Sequence, residues 1–218
     1  MVHTPVVLVA LTCLGVIALA RWIVRQRYFP GRECFLYLHL GCLWWMAAAA
    51  LEMASLDATC KQFWAAMAWP GIVGVPTFWA VFLWQYVNCV RRPLAPKMRY
   101  ALAVAPLLIW LMALGNPWHG LFYSPGTAPI SDLPGAPVRY VHGPLFYAAA
   151  VYVYLLMSVC LAVVVRAAVV SYGVHRRHYL SFAWVTALPW LANVSYVGFG
   201  WTVFGFDPTP FSFAFTLL

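Results

Sequence analysis

The 218 residues hold five carboxylates and six histidines, the side chains best suited to proton transfer, metal ligation or contact with a polar ligand. Glu52 is the sharpest of them. It follows the apolar run "WWMAAAAL", and a carboxylate inside such a run is costly and normally faces a bundle interior or water. It therefore reads as a ligand contact or a helix-linking bond, set against a side chain that snorkels to an interface. Asn116, His119, Asp132, His142 and Asp207 fall in the polar stretches on the same side as Glu52. Histidine near a carboxylate titrates around neutral pH and can bind metal. No HxH or HExxH spacing occurs, so neither a metal nor a cofactor is expected. His119 is a candidate ligand or proton contact, with loop capping as the competing role. Asp207 precedes Pro208 and fits the N-cap of the apolar run that follows. Asn193 lies four residues after Pro189, where it can bond to freed backbone or to a neighbouring helix, and can also line a cavity. Trp44, Trp45, Trp69, Tyr147, Tyr152, Trp184 and Trp190 can form aromatic walls between helices, although most Trp and Tyr belong to interfacial belts. The expected outer pocket thus comprises Trp45, Glu52, Trp69, Asn116, His119, Tyr147, Asn193 and Asp207. Pro70, Pro76 and Pro189 are expected to kink the helices around it.

These residues must be positioned by membrane helices. Apolar residues make up 65% of the chain and charged residues 8%, with a mean hydropathy of +0.82. A soluble domain carries roughly a quarter charged residues. A β-barrel would show weaker alternating segments of about ten residues. The expected fold is therefore all-α: a polytopic membrane bundle with six full transmembrane helices and the start of a seventh. The six runs are Pro5–Ile23, Phe35–Met53, Phe63–Val87, Tyr100–Leu114, Pro144–Val165 and Tyr179–Phe204. The fourth reaches only about 22 Å, less than a typical hydrocarbon core of about 30 Å. The first is read as an uncleaved span, because its arginines follow the apolar run instead of preceding it. The six cysteines form no CxxC or disulfide pattern.

Charge sets the orientation. Arg21, Arg25, Arg27 and Arg32 fall in the first connection, Arg91, Arg92, Lys97 and Arg99 in the third, and Arg166, Arg176 and Arg177 in the fifth. Only Lys61 and Arg139 lie on the opposite side. The positive-inside rule puts the three basic connections in the cytoplasm and the N-terminus outside. The net charge of +8 then reflects topology and anionic lipid, and a nucleic-acid partner is not expected. The connection from Gly115 to Gly143 is rich in Pro and Gly, excludes a helix through its middle, and reads as an outer lid with "PVRYVHG" as a short strand. From Thr209 a seventh helix begins, with Pro208 and Pro210 in its first turn. The ten residues from Thr209 to the last, Leu218, cover about 15 Å, half a bilayer. The chain therefore reads as one domain, 1–218, whose seventh helix continues toward the cytoplasm in a longer protein.

Five stretches carry a family resemblance: "FWAAMAWPGIVGVPTFWAVFLWQYVN" (63–88), "GNPWHGLFYSP" (115–125), "HGPLFYAAAVYVYLL" (142–156), "RRHYLSFAWVTALPWLANVSYV" (176–197) and "GFDPTPFSFAFT" (205–216). In this order the chain resembles the N-terminal seven-helix sensor region of bacterial histidine kinases and diguanylate cyclases. The resemblance implies a signal-input module in the bacterial inner membrane that senses a small ligand, a lipid or a membrane state. It also implies a PAS, kinase or cyclase output domain following in cis, a homodimeric full-length form and no catalysis by these 218 residues. The competing readings are a transporter, an intramembrane enzyme, a retinal photoreceptor and a stand-alone membrane-binding protein. A transporter wants polar midplane residues and a repeat, and neither is found. Only Glu52 would serve an intramembrane enzyme. A retinal protein wants a buried lysine, and Lys61 and Lys97 are both placed in loops.

Overall fold

In a computed structural model, residues 3–216 are described, and six helices are long and apolar enough to cross a membrane. The first two spans are α1 (His3–Arg25) and α2 (Arg32–Ala54). The third is made of α3 (Ala58–Met67) and α4 (Trp69–Val87). The fourth is α5 (Pro96–Leu114), followed by the single turn α6 (Asn116–His119). The last two are α7 (Pro144–Val170) and α8 (Gly173–Phe199), and α9 (Thr209–Thr216) opens the seventh.

Several boundaries differ from the sequence reading. The third span begins at Ala58, not Phe63, because the Asp57 carboxylate accepts the Cys60 N–H at 3.0 Å and caps α3. Lys61 is therefore helical and not in a loop. The same span breaks at Ala68, just ahead of Pro70, which has no N–H to continue the ladder. The Trp44 indole N–H donates to the Met67 carbonyl at 2.7 Å and satisfies one acceptor left at that break. The fourth span is not short: it starts at Pro96, and its 19 residues cover about 28 Å. The last two spans meet at Ser171 and Tyr172 alone, so Arg166, Arg176 and Arg177 lie within helices. The sixth ends at Phe199, five residues before the expected Phe204, and Val203 and Phe206 form a small bridged turn ahead of α9.

The spans alternate, so the molecule has two ends. The basic end holds the connections from Arg25 to Arg32, Val87 to Pro96 and Val170 to Gly173. The loop end holds the start of α1, the chain from Ala54 to Ala58, the 115–143 connection and the turn before α9. That long connection is pinned at the loop end. β1 (Ala128–Pro129) pairs antiparallel with β2 (Val138–Arg139), and Tyr123 bridges to His142. A Cβ at Gly143 would overlap the Leu121 carbonyl, so glycine is what lets the connection close onto α7.

α2 and α4 form the centre. α1 and α3 pack on α2, α5 and α7 on α4, and α8 on α7, while α9 lies against α8, α1 and α2. α2 and α4 approach at backbone distance, since a Cβ on Gly71 would sit 2.6 Å from the Gly41 carbonyl oxygen and 2.8 Å from the Trp45 Cβ. This is the small-residue packing that membrane helices favour. Gly74 is different: a Cβ there meets only the Phe78 ring at 3.8 Å. Pro76 and Pro189 lie inside α4 and α8.

Candidate functional site

Glu52 lies two residues before the last residue of α2, and the Gly71 contact with Gly41 and Trp45 holds the middle of α2 against α4. The Glu52 Oε1 accepts a 2.7 Å hydrogen bond from the Tyr140 hydroxyl. Tyr140 directly follows β2, so the hairpin is what delivers it. Burial first, then the Glu52 charge, holds the Tyr140 phenol well above its ordinary range. Lys61, on the first turn of α3, is 1% exposed. Its Nζ donates to the Glu52 backbone carbonyl at 2.9 Å and lies 5.5 Å from the centre of the Phe206 ring.

Asp207 reaches the same region from the turn before α9. Its Oδ1 accepts from the Thr209 N–H at 2.8 Å and from the Thr209 hydroxyl at 2.6 Å. This is N-capping of α9 by both main chain and side chain. Burial pushes the Asp207 carboxyl up to about 6, against the lowering effect of the two Thr209 bonds. The Thr209 Oγ1 also accepts from the Asn193 amide at 3.2 Å, and the Asn193 Oδ1 accepts from the Tyr154 hydroxyl at 2.9 Å. One continuous chain thus runs from Tyr154 on α7, through Asn193 on α8, to Thr209 and Asp207 at the start of α9.

Aromatic rings enclose the rest. The Trp69 indole N–H donates to the Tyr123 hydroxyl at 3.0 Å, and its ring meets Phe122 edge-on at 4.7 Å. Trp45 meets Phe213 of α9 edge-on at 5.2 Å. His142 stacks on Phe146 at 3.7 Å, and its Nε2 has no partner among the described residues. Burial lowers its imidazole to about 4, so the ring is neutral at physiological pH.

These groups surround a cavity of about 100 Å³ at the loop end, room for several waters or a small organic molecule. Of the residues singled out from sequence, Trp45, Glu52, Trp69, His142, Asn193 and Asp207 line it. Asn116, His119 and Tyr147 do not. Asn116 staples the long connection: its Oδ1 accepts from the Phe122 and Tyr123 N–H groups, and its Nδ2 donates to the Tyr123 carbonyl. The exposed His119 accepts from the Leu121 N–H at Nδ1, so its Nε2 carries the proton donated to the Met112 carbonyl. Tyr147 is 52% exposed on the outside of α7. Asn116 and His119 are claimed by backbone groups close to them in sequence, and Tyr147 lies on an exposed face of its helix.

Sequence reasoning missed Lys61 and Tyr140. Asp57 three residues before Cys60 is a legible cap, and starting the helix there would have made Lys61 helical. Tyr140 had no comparable signal, because its partner Glu52 is 88 positions away.

A bundle of this kind, all-α with six membrane-length helices and a polar cavity near one end, defines a multi-pass membrane protein. The family model described as the N-terminal 7TM region of histidine kinase matches residues 5–218, and the chain belongs to that family. No curated protein matches the chain. The family makes this region a membrane sensor input module, itself non-catalytic.

Proposed function

We propose that the loop-end cavity receives an extracytoplasmic or membrane-borne cue, and that α9 carries the response to a cytoplasmic histidine kinase output domain in cis. The observation behind this reading is the double role of Asp207, which lines the cavity and caps α9 through Thr209. An occupant that engages Asp207 or displaces Trp45 from Phe213 acts directly on the first turns of α9. It biases the output to the extent that it binds one packing of α9 better than another. Eleven of the thirteen Lys and Arg fall at the basic end, which favours that end in the cytoplasm and the N-terminus outside, in a bacterial inner membrane. Dimeric kinase output is the form in which the shift would be read, with a diguanylate cyclase as the alternative output.

The test is autophosphorylation of the full-length protein in lipid nanodiscs. Glu52→Gln is expected to change output about tenfold, the effect of roughly 1.4 kcal/mol on a two-state balance. His119→Ala is expected to leave output near wild type, because His119 caps a loop outside the cavity. Wild-type output from Glu52→Gln would remove the cavity from the signalling path.

A further inference from the structure

The lining of the cavity specifies a charge. It contains two carboxylates, Glu52 and Asp207, and neither Lys nor Arg. Each carboxylate spends one oxygen on the protein, Glu52 Oε1 on Tyr140 and Asp207 Oδ1 on Thr209. The second oxygen of each has no hydrogen-bond partner among the described residues. The nearest cation, Lys61, is committed to the Glu52 backbone carbonyl and the Phe206 face. No Lys, Arg or His nitrogen among the described residues lies within 4.0 Å of either carboxylate. When both acids are ionised, the one buried lysine leaves them a positive charge short, and a cation held between them would favour that ionised form. The walls are aromatic, with Trp45, Trp69, Tyr123, Tyr140, Tyr196 and Phe206 all facing the space. Aromatic faces attract cations, most strongly where water is excluded, and cages of this composition suit alkylammonium groups. Small anions are poorly served, since a desolvated carboxylate repels them.

Resting on the sensor reading above, we infer that the cavity binds a monovalent organic cation, with an ammonium group between Glu52 and Asp207 and its alkyl part against the aromatic walls. Two sources share this chemistry, a free amine from outside and the ammonium headgroup of a membrane lipid. Either one supplies the missing charge, and the experiment below separates them.

The probe is radiolabelled choline, measured by equilibrium dialysis against the whole chain in nanodiscs of phosphatidylglycerol, which carries no ammonium group. Choline is expected to bind at least about tenfold more tightly than its uncharged isostere 3,3-dimethylbutan-1-ol. Glu52→Gln and Asp207→Asn are each expected to erase most of that preference, and Asn retains N-cap capacity at position 207 so that α9 stays capped. Nanodiscs containing phosphatidylethanolamine then identify the source. A weakened choline affinity there assigns the site to the lipid headgroup, and an unchanged affinity assigns it to a free amine; both uphold the cation site. Equal binding of the isostere, or no choline binding in phosphatidylglycerol discs, overturns it, and this comparison uses the wild-type chain and needs no variant to fold. The two readings fail separately. Choline that binds without altering autophosphorylation defeats the relay and leaves the cation site. A Glu52→Gln change in output without choline binding does the reverse.

Discussion

The two ends of the bundle treat polar groups in opposite ways. At the basic end the charges are spread over the surface, and the only ion pair among the described residues is Arg99–Glu33 at 3.2 Å, with side chains 43% and 40% exposed. What is buried near that end is chiefly apolar, with Gln85 and His39 the polar exceptions, and aromatic rings pack around it: Phe82 contacts Phe35 at 4.7 Å and Phe182 at 5.6 Å, and Phe182 meets Tyr86 at 5.2 Å. At the loop end Asp57 and Asp132 stay exposed, but Glu52 and Asp207 are drawn inward, Glu52 bonded by Tyr140 and Asp207 by Thr209, which Asn193 links to Tyr154. Charge at the basic end orients the protein and packing holds it. Charge at the loop end costs stability and is retained around a cavity, which is where a membrane protein spends such a cost on function.

The largest effect is expected from abolishing the geometry that makes the loop end different. Gly71→Leu would drive α4 from α2 at Gly41 and Trp45, the latter a wall of the cavity, at about 3 kcal/mol or more. Thermal unfolding in nanodiscs should show it, while Gly74→Ala, with room for its methyl, should sit close to wild type. Next comes a matched pair, one substitution at each end. Tyr140→Phe removes a hydrogen bond to a carboxylate and leaves Glu52 Oε1 without its donor, a loss of about 1.5–3 kcal/mol. Glu33→Gln breaks the half-exposed pair at the other end and should cost under about 1 kcal/mol. Equal losses in the two variants would erase the contrast between the ends.

The last prediction is a pH dependence. Asp207 has its carboxyl raised from 3.8 to about 6, chiefly by burial. A carboxyl raised on folding contributes stability that is complete below its unfolded value of 3.8 and is lost as pH rises through about 6. The titratable groups that share its cavity are Glu52 on α2, Tyr123, Tyr140 and His142 on the long connection, Tyr154 on α7 and Tyr196 on α8, with Lys61 of α3 reaching the Phe206 ring next to it. With the cavity empty, Tm should fall over that window in wild type and fall less in Asp207→Asn. Parallel Tm curves for the two proteins would mean that Asp207 is better solvated than its burial implies.

Much of the architecture was readable before any coordinates. Long apolar runs and alternating basic connections locate the spans because each spanning helix must satisfy its own backbone and basic residues resist translocation. Boundaries failed where a cap or a proline competed with hydropathy, as at Asp57, Pro70 and Pro96. The cavity was readable only in part. Glu52, Asp207 and Asn193 announce themselves because a polar side chain in or beside a membrane helix demands an explanation. Tyr140 and Lys61 do not, since a tyrosine in a loop and a lysine near a helix start are ordinary until folding sets them beside Glu52. Asn116 and His119 misled for the reciprocal reason. Their residue types fit ligand contact, but the backbone groups of their own connection claim them first.

The central claim is that the state of the cavity is read by α9 through the Thr209 hydroxyl, which donates to Asp207 and accepts from Asn193. Thr209→Val keeps the shape of this buried residue and its N–H to Asp207 while deleting both hydroxyl bonds. Autophosphorylation of the full-length protein in nanodiscs tests it most directly. The account predicts output shifted about tenfold from wild type, with no further change when Glu52→Gln is added. Wild-type output from Thr209→Val, together with an undiminished Glu52→Gln effect in the double variant, would contradict it.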